Sequence, residues 1–267
     1  MEFEQIDFKK PQRKLVKRWG IYLMIPLLIG VVVLTVFSWK WRDTLSVQRV
    51  VIDGNRILPV QHVLGLSNVS LKSHMYGVDI YDVRQRILQQ PFIKSVCINR
   101  NFPNAIHIQI VERDPIATVN TGQLRYVDRE EFLLPQIESA VGLDLPIISG
   151  ICGLQQAQIG DTVLNTELSE AINLLETAQI IDTAIYHSIS EVNMNGGKDI
   201  LLYSTDIGVP IFVGRGEYGK KLILFHTFWS NFVKSQNADK LQYIDLRFNE
   251  QVVVKWKQDS QQPKTAL

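Results

Sequence analysis

Between Trp19 and Trp39 the chain runs for 21 residues, and from Gly20 to Phe37 no side chain is charged and most are Leu, Ile, Val, Met or Phe. A helix of that length rises roughly 30 Å, the thickness of a bilayer's hydrocarbon core. Trp19, Trp39 and Trp41 fall where indole rings meet the headgroups. Pro26 and Gly30 are tolerated in a membrane helix, where neighbours re-satisfy freed backbone groups. A run of this kind constrains everything after it, because the rest of the chain must fold while tethered to one membrane face.

The flanks set the expected direction. Residues 1–18 carry Lys9, Lys10, Arg13, Lys14, Lys17 and Arg18 against Glu2, Glu4 and Asp7, whereas Lys40 and Arg42 beyond the run are followed at once by Asp43. The heavier Lys/Arg count lies before the run, which predicts a cytoplasmic basic tail (1–18), a transmembrane helix (19–39) and an exported remainder. A cleaved signal peptide would have an apolar region of about 7–15 residues and an A-x-A-like site. Here the run is longer and ends in Phe37-Ser-Trp-Lys-Trp41, so an uncleaved anchor is expected.

Of the 267 residues, 46% are hydrophobic and 21% charged, a balance that suits packed domains rather than a disordered stalk. Net charge is +1 and basic residues cluster only in the N-terminal tail, which reads as a topology signal and not as a nucleic-acid site. Cys97 and Cys152 lack zinc spacing and are expected as free thiols. The five histidines are scattered, and neither G-x-S-x-G nor S-x-x-K occurs. The Asn68-Val-Ser70 sequon is a single triplet, within chance. No cofactor, metal ligand set or small-molecule substrate site is expected.

Past the anchor, Val47–Asp53 reads as a strand stopped by Gly54-Asn55, and Pro59–Leu66 as a short helix with proline in its first turn. Asp79–Leu88 is amphipathic, with Ile80, Val83, Ile87 and Leu88 near one face, and Pro91 ends it. Two strands follow: Lys94–Arg100, with Val96 and Ile98 pointing one way, and Ala105–Glu112, with Ile106, Ile108 and Ile110 inward at period two. Asp114-Pro115 is expected to close this small α+β module.

From Ile116 the texture changes to short strands: 117–120, 124–128, 132–134, 147–148, 189–194, 200–203 and 210–213. Two helices interrupt them. Asn165–Ile181 has Leu168, Ala171, Ile172, Leu175 and Ala178 on one face, and Glu217–Lys234 carries an apolar stripe broad enough to predict deep burial. Leu241–Asn249 and Val252–Trp256 read as two strands, or one bent one, and the polar tail 258–267 as disordered.

Gly214-Arg-Gly-Glu-Tyr-Gly219 is a literal G-x-G-x-x-G. A dinucleotide fingerprint needs a βαβ unit and an acidic residue about 20 positions on, ending the next parallel strand. Asp239 stands near that spacing but precedes the strand, so the motif reads as a tight strand-to-helix turn. A binding reading remains. The last strands are rich in Val, Tyr, Phe and Trp, and a terminal strand is often an edge whose free N–H and C=O groups template a partner strand. Against this, Phe248 and Trp256 read equally well as core residues.

The arrangement resembles the FtsQ/DivIB family of bitopic bacterial division proteins. The resemblance rests on Val50-Val-Ile-Asp-Gly54, Pro91–Val96, Asn101-Phe-Pro-Asn104, Ile106–Pro115, Val213-Gly-Arg-Gly216, and Tyr243-Ile-Asp-Leu-Arg-Phe248 with Trp256. It implies an α+β protein with a POTRA domain at 46–115 and a β-rich domain with two helices at 116–257. The family is a non-enzymatic septal scaffold of the inner membrane, whose β domain takes the periplasmic part of FtsB, travelling with FtsL, as an added strand. Other divisome members would meet the POTRA domain. Carried over by position, the partner-binding residues are Tyr243, Arg247, Phe248, Glu250, Val252, Val254 and Trp256, with Arg247 pairing a partner acid and Phe248 and Trp256 giving apolar contact. Phe248 stands where the family often has Tyr, and Glu250–Val253 is bulkier than in some relatives. The alternatives are a POTRA protein of outer-membrane or secretion assembly, which normally has several repeats or a long barrel, and an anchored periplasmic enzyme.

Overall fold

The computed structural model describes residues 19–137, 143–205, 208–233 and 240–257. The basic tail and the residues from 258 onward, for which topology and disorder were expected, lie outside these. The apolar run forms helix α1, Trp19–Thr44, which passes Pro26 without a break and reaches five residues beyond the expected end. From Met24 to Trp41 it is long and apolar enough to cross a membrane.

The described residues fall into two compact units: one within 19–53, 59–87 and 97–109, the other within 54–58, 88–96 and 110–257. Early in the chain come β1 (Arg49–Asp53), α2 (Val60–Ser67), α3 (Ile80–Leu88), β2 (Ile93–Asn101) and β3 (Ala105–Glu112), with the three strands in the order β1-β3-β2. β1 runs parallel to β3, Val50 opposite Ile106 and Ile52 opposite Ile108. In the first unit Val63, Met75, Val83, Ile87, Ile106 and Ile108 are buried, as the period-two and helical patterns require.

The motifs around residues 54 and 112 have a chemical reason, which lies within the second unit. Gly54 has φ +90°, and a Cβ there would sit 2.0 Å from the Ile110 carbonyl oxygen, so no side chain fits. Glu112 is buried and accepts the backbone N–H groups of Arg56 (2.8 Å), Ile57 (2.6 Å) and Leu58 (2.9 Å), holding that loop. Arg113 reaches the buried carboxylate of Asp128 (2.7 Å), with its guanidinium 3.7 Å above the Phe132 ring. Pro115 does not close the module: it opens the next strand, paired with Asp128. A strand's first position tolerates proline because no ladder donor is lost there.

The second unit contains β4 (Pro115–Asn120), β5 (Leu124–Asp128), β6 (Leu133–Leu134), β7 (Ile147–Ser149), α4 (Thr166–Ile181), α5 (Thr183–Ser188), β8 (Ile189–Asn193), β9 (Leu201–Ser204), β10 (Pro210–Phe212), α6 (Tyr218–Phe228), β11 (Leu241–Asp245) and β12 (Val253–Trp256). Its nine strands run β12-β11-β10-β9-β8-β7-β4-β5-β6. Their registers line up Val119, Ile148, Val192, Leu202, Ile211, Ile244 and Val254 across the sheet. All seven belong to or pack on one core, with Leu168, Ala171, Ile172, Leu175 and Ala178 of α4 and Leu222 and Phe225 of α6. Burying each such side chain contributes about 1.5–3 kcal/mol, and a slip of one residue would move the whole row to the other face.

Asn165 caps α4, its side chain accepting from Glu167 N–H (2.9 Å) and Leu168 N–H (3.1 Å). Asp182 is extended, ends α4 and caps α5 through Ala184 N–H, which explains a second helix that periodicity alone did not suggest. Two further expectations need correction. The helix predicted to Lys234 stops at Phe228 and passes into a π-helical turn, Trp229–Val233. Its stripe is not uniformly buried either: Leu222 and Phe225 enter the core, whereas Leu224, Phe228 and Trp229 are only half-buried, and Ile223 beside them is 52% exposed. And β10 and β11 are parallel with α6 between them, so the glycine motif does occupy a βαβ unit.

Candidate functional site

β12 is the end strand of the nine-stranded sheet, paired antiparallel with β11 on one side. Lys257 N–H donates to Lys240 C=O (2.7 Å), so by strand alternation Val253 and Lys255 also turn their backbone groups toward β11. Val254 and Trp256 therefore direct N–H and C=O away from the sheet, on the side where no strand pairs among the described residues. The side chains of Val252 and Val254 pack on the core, whereas Trp256 is 36% exposed at the rim.

The hairpin that carries this edge is held by Arg247. Its Nε and Nη2 grip the Asp245 carboxylate at 2.9 and 2.6 Å, and Nη1 reaches Asp199 at 2.6 Å. The guanidinium also lies 5.1 Å above the Phe212 ring. Its bond to Asp245 holds that carboxyl below the usual range, against the opposing effect of burial, and both aspartates raise the pKa of Arg247. Gly214 makes room for it: a Cβ there would lie 2.9 Å from Arg247 Cγ. The glycine motif is thus the expected tight turn despite its βαβ setting. Arg215 and Tyr218 both bond to Glu170 over the start of α6.

Tyr243 stands on the sheet face opposite the core row, edge-on to Phe212 (5.6 Å) and under Lys255 Nζ (5.7 Å). Phe248 is 53% exposed and faces a hollow of about 480 Å³ lined by Glu217, Lys220, Lys221, Ile223, Leu224 and Thr227 of the α6 region and by Asn249 and Glu250. Glu250 turns the hairpin at φ +58°, a left-handed conformation that costs a non-glycine residue about 1 kcal/mol. In the hollow Glu217 pairs with Lys220 (2.8 Å), lowering the carboxyl's pKa and raising the amine's. Lys221 donates to Arg215 C=O (3.1 Å), and burial lowers its pKa.

All seven expected site residues therefore fall on one hairpin, but they divide. Val252 and Val254 face the core, Tyr243 the opposite face, Arg247 its partners Asp245 and Asp199, Phe248 and Glu250 the hollow, and Trp256 the rim. Sequence reading did not single out Phe212, Asp199 or Ile223, and it placed Leu224 in a buried helix stripe, since only the fold brings these residues beside the hairpin. Cys97 and Cys152 are free and exposed, and among the described residues no cluster of His, Cys, Asp or Glu could hold a metal ion.

Comparison with known proteins bears on both regions. Residues 45–113 match the family described as POTRA domain, FtsQ-type, and residues 114–255 that described as FtsQ/DivIB, C-terminal related. The chain is 25% identical over 212 residues to the cell division protein FtsQ of Geotalea daltonii, covering 79% of this chain and 75% of that one. It is 28% identical to FtsQ of Salinibacter ruber, covering 86% and 90%. With the cell division protein DivIB of Clostridium acetobutylicum the identity is 22%, covering 76% and 80%.

Proposed function

This chain belongs to the FtsQ/DivIB family of cell division proteins, and on that premise we propose that it is a non-enzymatic scaffold linking early and late division proteins at the septum. Its N-terminus lies in the cytoplasm, α1 anchors it in the inner membrane, and the POTRA region (46–115) and β-rich region (116–257) are periplasmic. The POTRA region meets other divisome members. The β-rich region takes an FtsB/FtsL-type partner by strand addition on β12, with no nucleic acid, cofactor or small-molecule substrate.

One observation carries this reading: β12 ends the sheet with the backbone groups of Val254 and Trp256 turned outward, beside exposed Phe248. Main-chain hydrogen bonds supply affinity in such an addition, and flanking side chains supply selectivity. Tyr243, Arg247, Phe248, Glu250, Val252, Val254 and Trp256 form the receiving edge.

The test is affinity for the soluble part of an FtsB-type protein. Phe248→Ala and Trp256→Ala, each exposed enough to leave folding intact, are expected to lose about 2 kcal/mol, or roughly thirtyfold. Unchanged affinity in both variants, with native circular dichroism, refutes the site.

A further inference from the structure

The first unit carries an apolar patch that the partner-binding edge does not use. Leu71, Tyr76 and Phe102 are 60%, 47% and 53% exposed. The Tyr76 and Phe102 rings lie 5.9 Å apart, and the Arg100 guanidinium lies 5.7 Å from the Tyr76 ring centroid. Arg100 is itself fixed, donating to Met75 C=O (3.1 Å) and Val78 C=O (2.7 Å). Lys72 and His74 are exposed in the same loop, and neither 69–77 nor 99–104 contains an acidic residue.

The position of this patch is set by backbone hydrogen bonds to the residues that leave α1. Met75 N–H donates to Leu45 C=O (2.9 Å), Val47 N–H to Ser73 C=O (2.9 Å) and Lys72 N–H to Val47 C=O (2.6 Å), with Ser46 bridged to His74. The turn holding Phe102 is tied to the next residues: Gln48 and Arg49 N–H both donate to Asn104 C=O, at 2.8 and 3.3 Å. The apolar part of α1 ends at Trp41, and Leu45 follows the helix's last residue, Thr44. Four residues of helical rise are roughly 6 Å, while the headgroup zone on each side of the core is about 5–8 Å deep. With α1 as the anchor, Leu45 and Met75 bonded to it lie at headgroup level, and the loop and turn around them adjoin that level.

The geometry points to a second membrane contact: the 69–77 loop and the 101–104 turn dock on the leaflet from which the C-terminal end of α1 emerges. Leu71, Tyr76 and Phe102 enter the interface, and Lys72 and Arg100 meet anionic headgroups. Aromatic rings and basic side chains are the groups that settle at this depth. The contact rests on α1 being an anchor, and it fixes the height and tilt of the first unit instead of leaving it to swing on a tether.

The test uses the full chain with Cys97→Ser and Cys152→Ser in vesicles of phosphatidylethanolamine and phosphatidylglycerol. A nitroxide is placed in turn by Leu71→Cys, Phe102→Cys, Gln109→Cys and Phe37→Cys, and its collisions with oxygen and with a water-soluble nickel chelate are compared. Gln109 is exposed and pairs with Asp53, at the far end of β1 from the Phe102 turn. The expected result is an oxygen-to-nickel ratio severalfold higher at Leu71 and Phe102 than at Gln109, and highest at Phe37. Ratios at Leu71 and Phe102 equal to that at Gln109, with Phe37 in lipid, overturn the docking but not the anchor. An aqueous Phe37 overturns both.

Discussion

Arg247 and Asp245, two residues apart in one strand end, form a two-pronged ion pair in which the carboxylate is buried and the guanidinium is not: their side chains are 6% and 42% exposed. The backbone N–H of Arg247 adds a third bond to the same carboxylate at 3.0 Å. The pair turns the chain out of β11 toward the hairpin, and Arg247 also reaches across to Asp199.

Arg247→Met is therefore expected to lower stability by about 1–3 kcal/mol in urea denaturation, since it strands a buried charge while the exposed guanidinium is screened by water. The effect depends on pH. Asp245 has its carboxyl pKa depressed in the folded state by Arg247, so the pair stabilises above the unfolded carboxyl's pKa of about 4 and fades as pH falls through the folded value. The gap between native and Arg247→Met midpoints should narrow below about pH 4. A constant gap would detach that stability from the carboxyl.

Asp199 holds the remaining arm of Arg247 from an exposed position, and on the strand-addition reading an acidic residue of the partner would compete with it. On the strand-addition reading, Asp199→Asn should tighten binding by about 1 kcal/mol, or roughly fivefold, with little change in stability. Calorimetric titration with the partner's soluble domain measures it, and weaker binding would mean that Asp199 itself touches the partner.

The two edges of β12 separate by proline. At Val254 the N–H points outward, so Val254→Pro removes a donor that β11 does not use, and an edge strand tolerates it. At Lys255 the N–H faces β11, so Lys255→Pro breaks a ladder bond. Measured against Val254→Ala, which loses the same core contact, Val254→Pro should abolish partner binding with little further loss in Tm, and Lys255→Pro should cost about 3 kcal/mol by itself. Equal losses in Tm would place the free edge elsewhere.

Tyr186 is buried and its hydroxyl donates to Ile116 C=O at 2.7 Å, tying α5 to β4. Burial pushes its pKa up to about 12 from 10.0. A raised folded pKa means full stability below about pH 10 and progressive loss as pH climbs toward 12, on the order of 2–3 kcal/mol in all. Tyr186→Phe should cost about 1 kcal/mol at pH 7 and flatten that alkaline limb, read from thermal melts at pH 8 to 11.

Much of this was legible in the chain. The helix from Trp19, the period-two isoleucines at 106, 108 and 110, and the start of the helix at Asn165 follow from local pattern and capping, which need no distant partner. The candidate edge was legible only as composition. Whether Phe248 and Trp256 belonged to a core or a surface was evenly balanced until the strand order placed β12 last. Ile223 shows the same limit from the other side. It belongs to an apolar helix by composition, yet it lines an open hollow because α6 covers the sheet only with Leu222, Phe225 and their neighbours.

Sequence alone determined the anchor, the two-part α+β plan and the hairpin that carries the candidate site, because hydrophobic run length, alternation and caps act over a few residues. Tertiary structure decided the order of the strands, the parallel pairing of β10 with β11, and the capture of Arg247 by Asp199 and Asp245. It also tied the loop that carries Leu71 and Tyr76, and the turn that carries Phe102, to the residues that follow α1. These depend on hydrogen bonds and packing between residues far apart in the chain, and no local periodicity encodes which distant strand or loop will supply the other half of each contact.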